Sequence, residues 1–252
     1  MQIVARQARQ VYNPCAYHRL TAENRVVNRA DFIKQVPLFA GLDNAELAAL
    51  AQDLWQRRFM PGEAIFQQGD SGQMLYLIES GQVRIYVQDE EGQETSVNLC
   101  GPGEMFGELA LIDEMPRSAS VVAMEPTVVY IISRERFREH LLRSPQLALN
   151  FMKMLTVRVR YTTQQLSSLT LLDTPGRLAR KLLELAQDHG QVEAEGVRIN
   201  LSLTQSDLAS LIGTTRESVN KAMGAFRRQG LILMKEGHIV IVDADKLREL
   251  GL

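Results

Sequence analysis

A chain of 252 residues is long enough for one large domain or two modest ones, each with a real core. Hydrophobic residues at 45% and charged residues at 23% are ordinary for a globular protein, and a formal net charge of −2 gives no global attraction to nucleic acid or membrane. Any anion site must therefore be local. Two cysteines, Cys15 and Cys100, are too few for a disulfide framework or a four-cysteine metal site and suit a reducing, cytoplasmic setting. No apolar run approaches the roughly 18 residues of a membrane span. The opening MQIVARQARQVYNPC lacks the apolar core of a secretory signal and reads, over residues 1–30, as a polar extension.

Residues 31–54 read as a short helix, a turn and a second helix. Asp43 or Asn44 can cap the latter, and Leu47, Leu50 and Ala51 form its apolar stripe. From about 57 to 135 the pattern changes to short strands punctuated by glycine, which predicts an antiparallel β-roll within a domain spanning 31–143. Residues 144–172 return to helical periodicity. Ala148, Met152, Leu155, Val159, Thr162, Leu166 and Leu169 follow one another at alternating intervals of 4 and 3, the seam of a two-helix coiled coil, which favours a parallel homodimer. The plainer alternative is a helix packed on its own roll. Thr162 is polar within that seam, so it either weakens the seam or meets something polar.

Residues 173–252 form the last segment. Thr174-Pro175 opens a helix, with threonine placed to cap and proline at the tolerated first turn; its buried face is Leu178, Leu182, Leu185 and Ala186. A short strand pair is expected over 189–203. Thr204 with Asp207 makes a capping box for a helix carrying Leu208 and Leu211 inward and stopping at Gly213. Thr214 or Thr215 caps the next helix, which runs to Gly230. Helix, glycine-containing turn and helix give a helix-turn-helix outline. In the second helix Val219, Ala222, Met223 and Phe226 share one arc, while Arg216, Glu217, Asn220 and Lys221 share the other. Arginine and lysine donate to guanine and glutamate accepts from cytosine, so the outward arc can read base edges; a solvated amphipathic helix is the competing reading. LILMKEGHIVIV, two apolar strands about a tight turn, adds a β-wing and favours the DNA-reading interpretation. Arg227 and Arg228 can touch phosphates or complement the helix dipole.

One loop inside the roll is oddly polar. FGELALIDEMPRSASV, residues 106–121, holds Gly107, Glu108, Arg117 and Ser118 between apolar strands. It is either an ion pair across a turn or a pocket for a ligand with hydroxyl and phosphate groups. In the second case Glu108 accepts from a hydroxyl, Arg117 offers a fixed fork to phosphate oxygens, Ser118 donates a hydroxyl and Ala119 a backbone N–H. Gly107 lets the backbone approach, and a short helix begun over Glu108 to Ala110 favours an anion.

Over about residues 31–245 the chain resembles the cyclic AMP receptor protein/FNR family of bacterial transcription regulators. The motifs that carry this are FGELALIDEMPRSASV, YTTQQLSSLTLLD, TPGRLARKLLELA and GTTRESVNKAM. The resemblance implies an α+β fold: a cyclic-nucleotide-binding β-roll, a long dimerisation helix and a winged helix-turn-helix. It assigns Gly107, Glu108, Leu109, Arg117, Ser118 and Ala119 to the ribose and phosphate of cyclic AMP, the allosteric ligand, and Thr162 and Thr163 to its base. It assigns Thr204, Thr214, Thr215, Arg216, Glu217, Asn220 and Lys221 to double-stranded palindromic DNA, and it implies RNA polymerase as a further partner.

The family's best-known reader has arginine where this chain has Lys221, which lacks a bidentate fork, so the base facing it is open. Two cysteines cannot supply the four ligands of an iron–sulfur oxygen sensor. A haem sensor needs axial ligands that nothing here marks, and Cys100 reads as a buried structural thiol. A nucleotide-binding regulatory subunit of an enzyme has no use for the reader and wing. No metal cluster, nucleophile–base pair or P-loop points to an enzyme. The nearest rival is the same architecture answering to cyclic GMP, cyclic di-GMP or no nucleotide.

Overall fold

The computed structural model describes residues 29–201 and 203–251; most of the polar N-terminal extension, with Cys15, lies outside the described residues. The chain divides into two compact units, one up to Val159 and one from Arg160 onward.

The first unit opens with α1 (Arg29–Gln35), a 3-10 turn at Pro37–Phe39 and α2 (Asn44–Asp53). Of the two candidate caps, Asp43 serves. Its carboxylate accepts from the N–H groups of Ala45 and Glu46, both at 2.8 Å, and Glu46 returns the bond to the Asp43 N–H.

Eight strands follow: β1 (Trp55–Phe59), β2 (Ala64–Phe66), β3 (Met74–Ser80), β4 (Val83–Gln88), β5 (Glu94–Cys100), β6 (Met105–Phe106), β7 (Ser120–Ala123) and β8 (Thr127–Ser133). They form two antiparallel sheets, ordered β1-β8-β3-β6 and β2-β7-β4-β5. In the first sheet β3 and β8 are buried on both faces, while the edge strand β1 is mostly exposed. Leu75, Leu77, Tyr130 and Ile132 meet the helices, while Tyr76, Ile78, Val129 and Ile131 meet the second sheet with Val83, Cys100 and Val121. Side chains alternate faces along a strand, so burial of both faces explains why β3 and β8 read as almost unbroken apolar runs. Cys100 is fully buried, and burial pushes its thiol well above the ordinary cysteine range.

The polar loop holds a one-turn helix, α3 (Leu109–Ile112). After β8 comes a helix not anticipated within the expected roll, α4 (Arg134–Arg143), capped by Ser133, whose hydroxyl accepts from the Arg136 N–H at 3.3 Å. Six of the ten residues of RERFREHLLR are charged and only Phe137 is fully inside, so little periodicity betrays it.

The long helix α5 (Pro145–Leu171) runs for 27 residues. Leu147, Phe151 and Met154 pack into the first unit's core. Of the expected seam, Met152, Val159, Thr162, Leu166 and Leu169 are exposed in the single chain, and Ala148 and Leu155 are half-buried. The helix thus has two apolar faces, one of them uncovered here.

The second unit contains α6 (Thr174–His189), β9 (Gly190–Glu193), β10 (Gly196–Ile199), α7 (Gln205–Ile212), α8 (Arg216–Arg228), β11 (Ile232–Lys235), β12 (His238–Ile241) and α9 (Ala244–Leu250). The N-cap of α6 is Asp173, not the expected Thr174. The Asp173 carboxylate accepts from the Gly176 N–H at 2.9 Å, and its charge suits a helix N-terminus better than a hydroxyl does. The four strands form one sheet ordered β11-β12-β10-β9, so the expected wing and the expected strand pair are parts of the same sheet.

Candidate ligand-binding and DNA-binding sites

The polar loop joins two close-packed walls. Gly107 has φ 81°, and a Cβ there would lie 2.6 Å from Nη1 of Arg117, so only glycine lets that guanidinium through. Arg117 is buried. Its Nη1 donates to the Gly107 carbonyl at 2.6 Å and its Nη2 to the Met74 carbonyl at 2.7 Å. The guanidinium centre sits 4.1 Å from the Phe66 ring centroid and 5.7 Å from that of Tyr76. Burial pulls its proton affinity below the ordinary arginine value, with the opposing pull of Tyr76 and Glu108 too small to restore it. Its Nε–H is buried with no hydrogen-bond acceptor.

Glu108, 3% exposed, does not pair with Arg117. Its partner is Arg158 of α5, which donates through Nη1 to the Glu108 carboxylate and through Nη2 to the Met105 carbonyl. Burial works against the charge of Arg158, yet the adjacent carboxylate more than compensates and holds its proton affinity above the usual arginine value. The ion pair across the turn is therefore replaced by a longer-range one. Sequence reasoning missed Arg158, which lies just before the seam residue Val159. A cation beside an apolar stripe, one turn before Thr162, was the available signal.

The remaining loop residues are more open. Leu109 and Ser118 are exposed and Ala119 is half-buried. Glu108, Arg117, Gly107, Leu109, Ser118 and Ala119 are thus gathered in the first unit. Thr162 and Thr163 follow Arg158 by four and five residues on α5, within the second unit, and both are exposed.

The reader is assembled as its sequence suggests. Thr204 caps α7 in a reciprocal box with Asp207: its hydroxyl accepts from the Asp207 N–H at 3.1 Å and its own N–H donates to that carboxylate at 2.8 Å. Gly213 ends the helix at φ 63°. Thr215, rather than Thr214, caps α8, accepting from the Ser218 N–H at 3.2 Å; Thr214 instead gives its backbone N–H to the Ala209 carbonyl. Val219, Ala222, Met223 and Phe226 are buried, and Arg216, Glu217, Asn220 and Lys221 are exposed together. Gln205 of α7 donates to the Asn220 side chain at 3.3 Å, tying the two helices on the outer face. The Glu217 carboxyl is held below the usual carboxylate range by its own backbone N–H and the Thr215 hydroxyl, so it is an acceptor at neutral pH. The wing turns at Glu236 (φ 51°) and Gly237 (φ 80°), the two-residue turn that matches strand twist. His238 serves that turn, with Nδ1 3.0 Å from the Glu236 carbonyl.

Comparison with known proteins agrees with this geometry. The family model for the cyclic nucleotide-binding domain matches residues 56–144, and that for the Crp-like helix-turn-helix domain matches residues 176–250. The CRP-like cAMP-activated global transcriptional regulator of Mycobacterium tuberculosis is 33% identical over 217 residues, covering 86% of this chain and 97% of that protein. The cyclic AMP receptor protein of Thermus thermophilus is 37% identical over 220 residues, covering 87% and 98%. Among solved structures, a CRP/FNR-family transcriptional regulator from Thermus thermophilus aligns with a TM-score of 0.66 at 27% identity, covering 78% of this chain and 98% of that one. The cyclic-di-GMP-responsive global regulator of Xanthomonas campestris aligns with a TM-score of 0.69 at 24% identity, covering 79% and 99%. With both domains matched and relatives of this identity aligned over most of its length, the chain belongs to the cyclic AMP receptor protein/FNR family of transcription regulators.

Proposed function

We propose that this family member is a homodimer that binds cyclic AMP in the roll and, in response, binds a palindromic DNA site through α8. The observation that carries the ligand reading is Arg117. It is a buried guanidinium anchored on two main-chain carbonyls, with one N–H still lacking an acceptor. An uncompensated buried cation is unfavourable unless something anionic completes it, and a cyclic phosphodiester does so with one charge. Glu108, aligned by Arg158, is the acceptor for a ribose hydroxyl. The two relatives described as cAMP-activated and as a cyclic AMP receptor support adenine as the base, with Thr162 and Thr163 as its contacts.

The dimer is supported by the exposed stripe of Met152, Val159, Leu166 and Leu169 at heptad spacing. DNA recognition is supported by the exposed Arg216, Glu217, Asn220 and Lys221 at the start of a capped second helix. RNA polymerase is a proposed partner on the family resemblance alone.

The test is calorimetric titration with cyclic AMP, cyclic GMP and cyclic di-GMP, followed by mobility shift on a palindromic site with and without the nucleotide that binds. Binding of cyclic AMP that strengthens the DNA shift is the expected result. Preference for another nucleotide moves the reading to a different effector, and DNA binding indifferent to all three removes it.

A further inference from the structure

We propose that Arg134 is a second cation of the phosphate site, a positioning residue that holds the walls around Arg117 and adds its charge to the field there. The proposal rests on the cyclic-nucleotide reading of the loop. Arg134 opens α4, outside the loop, where neither the family resemblance nor the sequence marks it.

Its side chain joins two segments that are distant along the chain. Nη2 donates to the Gly72 carbonyl at 2.9 Å and to the Ala110 carbonyl, in α3, at 2.5 Å. Its backbone N–H donates to the Gln73 carbonyl at 2.9 Å. Those segments are the walls that confine Arg117. A Cβ on Gly72 would stand 2.3 Å from the Ala110 Cβ and 3.1 Å from both Nε and Cζ of Arg117. The Arg117 guanidinium thus packs on the backbone of Gly72, and Arg134 holds that residue by its carbonyl.

The charge balance points the same way. Glu108 is neutralised by Arg158. Arg117 and Arg134 are close enough for Arg134 to add its repulsion to the effect of burial on Arg117. The carboxylates acting on this pair are Glu108, which is buried but already engaged by Arg158, and Asp70 and Glu114, both exposed; Glu114 lies 3.7 Å from Arg134 Nη1. Exposed carboxylates are screened by water and offset the buried Arg117 and the half-buried Arg134 only in part. Nε of Arg134, like Nε of Arg117, is buried without an acceptor. Glu114 is also held at φ 60°, an uncommon conformation for a non-glycine residue, at the tip of the loop that brings it to Arg134. Two under-compensated cations sharing one glycine suit a compact anion and discriminate against neutral nucleosides.

The experiment is calorimetry with cyclic AMP and, as a neutral comparison, adenosine, on the full-length wild type, Arg134→Met, Arg134→Lys and Glu114→Gln, with thermal unfolding run on each. Arg134→Met is expected to weaken cyclic AMP about tenfold while leaving adenosine within twofold, and Arg134→Lys to recover part of the loss. In an Arg117→Lys background the effect of Arg134→Met should shrink below about threefold, because it acts through Arg117. Glu114→Gln removes a counter-charge from an exposed position and should bind cyclic AMP as tightly as wild type or up to about threefold tighter. Wild-type affinity in Arg134→Met, or equal losses for cyclic AMP and adenosine, overturns the proposal. If Arg134→Met fails to fold, weaker binding by Glu114→Gln overturns it alone. A wild type that binds none of the nucleotides overturns the underlying reading of the site together with this one.

Discussion

Arg158 reaches from the long helix to close an ion pair on Glu108 and, with its other terminal nitrogen, satisfies the carbonyl of Met105 two residues before Gly107. One guanidinium therefore fixes both the carboxylate and the strand that leads into the loop. Arg158→Met leaves a nearly buried carboxylate without its partner, for which losses run to about 3–5 kcal/mol at fully buried pairs. Because the Arg158 side chain is 30% exposed, about 2–3 kcal/mol is expected in urea unfolding. Glu108→Gln combined with Arg158→Met should lose less than the sum of the two. Strict additivity would show that the pair does not act as a unit.

Stability should also depend on pH through Asp188. Its carboxyl is pushed up to about 6, first by burial, then by Glu184, with Lys181 opposing. Lys181 is itself buried, donating to Tyr161 Oη at 2.9 Å and to Glu184 at 2.6 Å, and Gln165 donates to the same carboxylate at 3.1 Å. A carboxyl whose folded value lies above its unfolded one binds more protons folded than unfolded between the two, so its contribution worsens as pH rises from about 4 to 6. Asp188→Asn should thus stabilise the protein at pH 7–8 by about 1–3 kcal/mol, with the gain fading toward pH 4. A gain independent of pH would remove ionisation as the cause.

The uncovered stripe on α5 gives a direct test of self-association. Leu166, 63% exposed, lies in the middle of the second half of the seam. Leu166→Glu places like charges opposite each other in a parallel pair and should shift sedimentation toward monomer at micromolar concentration. An unchanged dimer would put the interface elsewhere.

At the reader, Arg216→Ala should cost about 1–3 kcal/mol on the preferred site and relax preference at one position of each half-site. A uniform loss across sequences would make Arg216 a phosphate contact. Lys221→Arg should sharpen selection for guanine at its own position, since only arginine offers two parallel donors; selection unchanged in a binding-site enrichment would place Lys221 off the base edges.

What was legible in the sequence is what is settled locally. Thr204 with Asp207 and the stop at Gly213 each act within four residues, and each is where the sequence puts it; at α2 the sequence leaves Asp43 and Asn44 open, and the returning bond from Glu46 accompanies Asp43. Asp173 displaced Thr174 by one position because both adjacent residues can cap and the charged carboxylate suits a helix N-terminus better. The loop's composition announced a polar site, but not its wiring: Glu108 and Arg158 are fifty residues apart, and no periodicity relates them. Arg134 and the helix it opens were hidden for a related reason. A charged helix with one buried aromatic, Phe137, carries almost no pattern, and the value of Arg134 lies in two carbonyls distant along the chain.

The double-sided burial of β3 and β8 leaves alignment in the roll with an unusual guardian. A slip of one residue would only exchange one apolar face for another, so polarity alone penalises it weakly. What forbids the slip is found at the strand ends. The pairing is irregular between Ile78 and Ser80, and beyond it a Cβ on Gly81 would stand 2.6 Å from the Pro126 carbonyl oxygen and from the Thr127 Cα. Thr127 then gives its hydroxyl to the Gln82 carbonyl at 3.1 Å. The innermost strands are thus aligned by their hems, leaving their interiors free to exchange one aliphatic residue for another without losing the match.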